Sequence, residues 1–470
     1  MGFTLGVALC GCGSDSEPSR PLGTGGANAA AGASGSAGAS ASGGVRGSPE
    51  GGRAGIDGAG TAGTAGHDPT GELFTVNAEL ASDVSASAPG TVGIVTWSID
   101  SVVPESAVIE FGLDRSYGLR APVDLTEPDY RTLLLGMKPS RAYHFRVLVT
   151  AGARTYASDD YVIETGPLTS AVAVGDLNVV DAAAYEPGFI VASYWYGPDD
   201  SVAFIVDADG DVVWWYQTEL LGIARARMSE DGKNLWIVSA SNFGEPLVRV
   251  SLDTLDSQTY EGTHGSHDIT PVSGATMAYL EYSATMADTI VEIEPSGTAT
   301  PIFDPTEYLN GSGHANALRY SQREDVYVMT DVTQDILVVN RDGSLGWRIS
   351  EILADGIATL GGSQHGQHLL DDSILIFANE WGSERASAAA EYDFLGQRVW
   401  LYESGEYSSN LGDVQRLPGG NTMVTYANAS IVQQVTPAGE LVMQWQVENA
   451  WFGYTLWRET LYGPPPDILQ

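Results

Sequence analysis

From about Thr169 to the C-terminus, apolar and polar residues alternate in short runs separated by turn-forming residues, the pattern of half-buried β-strands. Similar turns recur at Val206-Asp207-Ala208-Asp209-Gly210, Ile293-Glu294-Pro295-Ser296-Gly297, Val339-Asn340-Arg341-Asp342-Gly343, Tyr392-Asp393-Phe394-Leu395-Gly396 and Val435-Thr436-Pro437-Ala438-Gly439. Each joins an alternating strand to a second strand that often carries Trp. Glycines 297, 343, 396 and 439 lie about 46, 53 and 43 residues apart. Gly210 to Gly297 is two such periods, with Leu252-Asp253-Thr254-Leu255-Asp256 filling the middle. A period of this length is one four-stranded blade of a β-propeller, and the count predicts six blades over residues 168–470.

A second motif heads each repeat: Arg225-Ala226-Arg227-Met228, His267-Asp268-Ile269-Thr270, His314-Ala315-Asn316-Ala317, His365-Gly366-Gln367-His368-Leu369 and Asp413-Val414-Gln415-Arg416. The first repeat has no such strand of its own. Tyr454-Thr455-Leu456-Trp457-Arg458 is expected to supply it, closing the ring without a free edge. The Asp207-Ala208-Asp209-Gly210-Asp211 run invites a calcium reading but lacks the terminal Glu of a calcium loop. A tight hairpin turn with Gly at positive φ is the expectation.

Residues 71–167 carry strand patterns without helical periodicity, among them Val92–Trp97, Ala107–Phe111 and Tyr143–Val149. Their number and length suit a small β-sandwich. Leu133-Leu134-Leu135-Gly136-Met137-Lys138-Pro139-Ser140-Arg141-Ala142-Tyr143 resembles the turn before the sixth strand of fibronectin type III domains. Residues 13–70 are Gly, Ala and Ser with scattered Pro, too poor in buriable groups to fold, and read as a flexible spacer. The segment 1–12 is apolar and ends Leu9-Cys10-Gly11-Cys12; it resembles a bacterial lipobox with Cys12 as the lipidated residue. It lacks a basic leading segment. The chain is therefore expected to be exported and lipid-anchored to the bacterial envelope, in the periplasm, at the outer membrane or on the cell surface. Fold class is all-β: a six-bladed propeller preceded by a small sandwich.

Charge narrows the partners. With 22 Lys and Arg against 60 Asp and Glu, the formal net charge is −38. Such a surface repels nucleic acid and anionic lipid, leaving the anchor as the sole membrane contact. Both cysteines precede residue 13, so the folded part has no disulfide. The sandwich offers a face for homodimer pairing.

Candidate chemistry lies with the histidines. Of seven in the chain, His264, His267, His314, His365 and His368 fall where inner strands of three successive repeats begin. Innermost strands of a propeller line its axis, so imidazoles from three blades should meet there.

In order and spacing, Gly265-Ser266-His267-Asp268, His314-Ala315-Asn316, Gln364-His365-Gly366-Gln367-His368, Gln415-Arg416-Leu417-Pro418-Gly419-Gly420-Asn421-Thr422 and Tyr454–Arg458 together resemble the bacterial arylsulfate sulfotransferase family. The resemblance covers about 300 residues. It implies transfer of a sulfuryl group from an aryl sulfate to a phenol, with no nucleotide donor, metal or organic cofactor. By motif, His365 is the nucleophile that forms a sulfohistidine, and His267 and His314 hold sulfuryl oxygens or protonate the leaving phenolate. Asn316 adds a donor or orients an imidazole. His368, three residues beyond His365, should point to the opposite strand face and pack. The family has an arginine where this chain reads Met329-Thr330-Asp331-Val332-Thr333-Gln334-Asp335; Asp331 and Asp335 are expected to repel a sulfate. Arg225, Arg227 or Arg458 is expected to substitute, with His264 and His368 as further substrate contacts. Two alternatives stay open: a metal enzyme using His267, His314 and His365, and a tethered binding propeller without catalysis.

Overall fold

The structure is a computed structural model that describes residues 73–81, 90–168, 172–196, 201–240, 244–283, 287–309, 313–332, 334–353, 363–382 and 386–463. All belong to one compact unit. Cys12 and the spacer at 13–70 lie outside the described residues.

The N-terminal portion is two sheets sharing one core. Phe74–Leu80, Gly93–Ile99 and Thr132–Leu134 form one sheet. Leu119–Pro122, Ser106–Gly112, Ala142–Ala151 and Arg154–Ala157 form the other, with Tyr161–Glu164 also on Ala142–Ala151. Strand alternation turns Val95 and Trp97 from the first sheet against Ile109, Phe111, Phe145, Val147 and Val149 from the second. The hydroxyl of buried Tyr143 accepts the backbone N–H of Lys138 at 2.8 Å, tying the sixth strand to the preceding turn. His144 sits half-buried on the outer face beside Asp160, 2.8 Å away.

This sandwich is seated on the C-terminal part. Ala81, Val92 and Leu135 join Val191, Ile205, Val213 and Trp214 in a continuous apolar cluster. Thr91 Oγ1 donates to Val213 O at 2.6 Å, and Tyr462 Oη lies between Leu133 O and Leu135 N. Lys138 Nζ lies 3.3, 2.7 and 2.6 Å from carboxylates of Asp207, Asp209 and Asp211. The acidic turn is thus the hairpin expected, with Gly210 at φ 86°, and its cation is an ammonium from the sandwich.

The C-terminal part is all-β and β-propeller-like. Phe189–Tyr196, Val202–Val206 and Val212–Gln217 form its first sheet. Leu456–Arg458 pairs with Phe189–Tyr196, as the incomplete first repeat required. Asp176–Val179 pairs with Leu441–Gln446, so the two ends of this part cross into each other's sheets. Four-stranded sheets start at Ala315–Ser321 and Gln364–Leu369, and a five-stranded one at Asp413–Arg416. The repeats headed by Arg225 and His267 depart from the expected separation. The strand Ser257–Ser273 runs without a break from the outer edge of one into the head of the other, giving a single seven-stranded sheet. The backbone bends inside that strand instead of between two strands.

Replacing Tyr143 by Phe leaves the Lys138 N–H unsatisfied beneath the sandwich. It should lower unfolding stability by about 1–2 kcal/mol, measured by urea denaturation.

Candidate functional site

The heads of successive repeats share a local irregularity. Register slips between Ile223 and Arg225, between Gly265 and Ile269, between Ala315 and Ala317, and between Gln364 and Gln367. Each slip is a β-bulge, which re-aims side chains that plain alternation would send elsewhere. The residues at these bulges are Ala224, His267 with Asp268, Asn316, and His365 with Gly366. His267 itself adopts φ 58°, a left-handed conformation uncommon for a non-glycine residue.

These bulges bring His267, His314, Asn316 and His365 together. The rings of His267 and His314 meet edge to face with centroids 4.7 Å apart. Ser266 Oγ lies 2.6 Å from His267 Nδ1. Asn316 Nδ2 donates to His365 Nε2 at 2.9 Å, and His365 Nδ1 donates to Asn379 Oδ1 at 2.5 Å. The direction of that second bond is set by Asn379, whose Nδ2 is committed to Ser408 O and Leu411 O at 2.8 and 2.7 Å. Its Oδ1 can only accept, so His365 carries its proton on Nδ1 and a lone pair on Nε2. Tyr454 completes the wall: its ring centroid is 6.4 Å from that of His365, and its hydroxyl donates to Asn316 O at 2.7 Å.

Burial keeps the imidazoles neutral. His365 is fully buried and pushed down to about 4, with only Asn379 working against the loss of solvent. His267 falls well below the ordinary range through burial and the neighbouring His314 and His365. Burial lowers half-buried His314 as well.

One layer further in, charge is concentrated. Arg225 Nε and Nη2 hold both oxygens of Asp268 at 2.8 and 3.1 Å, and Nη1 holds Asp413 at 2.6 Å and Thr455 O at 3.1 Å. Its guanidinium lies over the Tyr454 ring at 4.3 Å. Arg319 Nη2 donates to the other Asp413 oxygen at 2.8 Å and to Val414 O. Burial pushes Asp413 up, but Arg225 and Arg319 outweigh it, and the carboxyl stays below its usual range. Gly366 is required here: a Cβ would lie 2.2 Å from Asp413 Oδ1 and 2.6 Å from its Cα.

Several expectations need correction. Arg225 has its donors taken by two buried aspartates and is not a free sulfate ligand. Arg227, two residues along the same strand, has Arg225, Asp268, Arg319 and Asp413 as its electrostatic surroundings, one layer away from the imidazoles. Arg458 is held by Thr460 O at 3.0 Å and by Gly463 O, at the chain's last described turn. His264 is exposed, on the stretch of its strand before the register slip, whereas His267 within the slip is buried. His368 accepts the Arg416 backbone N–H on Nδ1 at 3.1 Å, a packing role. Asp331 and Asp335 are not loose repelling charges. Asp331 accepts the His314 and Gln334 N–H groups at 2.6 and 2.9 Å, and Asp335 accepts those of Ile336 and Ser350. Among the described residues, no three His, Cys, Asp or Glu side chains form a group able to hold a metal ion. Of the aromatics near strand starts, Phe452 is core, stacked on Trp445 at 5.0 Å, whereas half-buried Trp451 faces Trp195 at 5.6 Å.

Sequence reasoning missed Asn379 and Arg319 as members of this interior, and placed Tyr454 on an inner strand without giving its side chain a part. Asn379 directly follows the strand Ser373–Ala378, fourteen residues beyond His365, and no local pattern marks it.

Three outcomes follow. Because the folded His365 value of about 4 lies below the ordinary 6.5, the unfolded chain binds the extra proton first as pH falls. Stability present above about pH 6.5 is then lost towards pH 4, about 3 kcal/mol from this residue alone, measurable by urea unfolding across that range. Asn379→Asp should raise the His365 titration midpoint by more than about one unit in NMR, since a carboxylate favours the imidazolium. Gly366→Ala should displace Asp413 and cost about 3–5 kcal/mol, the scale of a broken buried ion pair.

Comparison with known proteins adds little beyond architecture. No family model matches the chain, and no curated protein does. Among solved structures, it is similar to TolB from Acinetobacter baumannii at 13% identity, covering 69% of this chain and 80% of that one, with a TM-score of 0.43. It is also similar to a chain of a nidogen/laminin complex at 14% identity, covering 57% of this chain and 97% of the other, with a TM-score of 0.42.

Proposed function

We propose that the C-terminal part is a six-bladed β-propeller whose axial histidines transfer a sulfuryl group from an aryl sulfate to a phenol. The observation that carries this reading is His365: a buried, neutral imidazole with Nδ1–H anchored on Asn379 and the Nε2 lone pair facing Asn316, beside the His267–His314 pair. A neutral imidazole oriented through its far nitrogen is a competent nucleophile near pH 7.

The step runs as follows. Nε2 attacks sulfur, the S–O bond to the aryl group breaks, and its electron pair leaves on the phenolate. Asn316 Nδ2, which caps Nε2 in the free site, gives up that bond and becomes a donor to a sulfuryl oxygen. In the second half, a phenol oxygen attacks sulfur, the N–S electron pair returns to Nε2, and the phenolic proton passes to His267 or His314. With those imidazoles neutral, the first leaving group departs as phenolate, so donors with acidic phenols are favoured. A segment ending at Cys12 would tether the enzyme to the envelope through lipid.

A second reading, a binding propeller without catalysis, is favoured by one feature. Arg225, whose guanidinium lies over the Tyr454 ring, is neutralised by Asp268 and Asp413.

The test is 4-nitrophenyl sulfate with a phenol acceptor. Nitrophenol release that requires acceptor, follows ping-pong kinetics and falls more than about a thousandfold in His365→Asn supports transfer. Tight aryl sulfate binding without turnover, unchanged in His365→Asn, supports the binding reading.

A further inference from the structure

Beneath the imidazoles, the interior carries more positive than negative charge in a chain that is strongly acidic overall. Arg225, Arg227 and Arg319 face Asp268 and Asp413, three guanidiniums against two carboxylates, a local excess of one positive charge. Both carboxylates are already engaged: Asp268 by Arg225 and the Leu318 and Ile269 N–H groups, Asp413 by Arg225, Arg319 and the Val414 N–H.

Arg227 is left over. It is 4% exposed, its nearest carboxylate contact is 3.8 Å from Asp268, and its Nε and Nη2 have no hydrogen-bond partner among the described residues. Nε of Arg319 is in the same condition. Two guanidiniums with unsatisfied N–H groups therefore sit close enough to repel one another. Arg227 and Arg319 also retain a little accessible side-chain surface, 5% and 10%, where Arg225 and Asp268 have none. His368, the remaining titratable neighbour, is held neutral by burial and by Arg319, Arg416 and Arg227. Arg416 is itself paired with Glu391. Among the described residues, no further carboxylate is paired with Arg227.

A buried, unpaired guanidinium is costly, and its ordinary remedies are a carboxylate or a bound anion. We propose that Arg227 and Arg319 form an internal site for one small monovalent inorganic anion of the halide class, lying below the histidine cluster and separate from it. One negative charge cancels the local excess and accepts the orphaned N–H groups at once. A divalent oxyanion would overshoot the charge and, beside Asp268 and Asp413, be disfavoured.

Thermal unfolding of the full chain, titrated with sodium chloride against sodium gluconate at constant ionic strength, tests this. An ion bound by the native state alone should raise Tm steadily with log chloride concentration, by about 3 °C once chloride is well above its dissociation constant. Arg227→Met should abolish the chloride dependence and, in gluconate, be at least as stable as the parent, because an uncompensated charge has been removed. A Tm indifferent to chloride, or an equal chloride response in Arg227→Met, overturns the proposal. Should the variant fail to fold, anomalous scattering from bromide-soaked crystals of the parent decides. A bromide peak within hydrogen-bond reach of the Arg227 and Arg319 guanidiniums supports the site, and ordinary water there overturns it. Neither readout depends on sulfuryl transfer.

Discussion

Everything at the centre of this molecule hangs on the ion-pair network of Arg225. Its guanidinium reaches Asp268 on the next repeat, Asp413 near the other end of the chain, and the backbone of Thr455 on the C-terminal segment. Arg319 extends the same network to Asp413. Repeats far apart in sequence are thereby locked to one another at the point where they converge. Such charges contribute little net stability when compared with well-packed apolar groups, because desolvation offsets most of their attraction. What they impose is position: removing one partner leaves another charge stranded in a dry interior, so misregistered arrangements are heavily disfavoured.

The bulges and the charge layer cooperate. The register slip within Ser257–Ser273 points His267 towards the imidazole layer and Asp268 into the charged layer. Gly366 lets the His365 strand approach Asp413 closely enough for both layers to form. The Tyr454 ring links them, lying under the Arg225 guanidinium while its hydroxyl holds the Asn316 carbonyl. The chemistry of the upper layer is therefore that of neutral nitrogen bases held by amides. The cationic chemistry is displaced one level deeper, where most of it is internally cancelled.

That displacement bears on the proposed reaction. Among the described residues, a sulfate ester entering the imidazole layer would meet N–H donors and lone pairs, and the Arg225 guanidinium behind them is already paired. Stabilisation of developing charge then falls on directed hydrogen bonds in a dry site, where they are strongest, rather than on net charge.

Much of this was legible in the chain itself. Alternating runs and evenly spaced turn glycines marked an all-β protein, and the missing head of the first repeat pointed to the pairing of Leu456–Arg458 with Phe189–Tyr196. The acidic hairpin at Gly210 followed from its composition, and recurrence of histidine at repeat heads marked the interior that collects His267, His314 and His365. Those features depend on local preference and on period, which a sequence displays directly. Tertiary structure alone decided that Arg225 is neutralised, that Asp331 supports the His314 backbone, that Ser257–Ser273 fuses two repeats, and that Asn379 sets the His365 tautomer. In each case the deciding partner comes from a distant segment or from a bulge that breaks alternation. Neither leaves a periodic trace, because the pairing exists only once the chain has closed around its own interior.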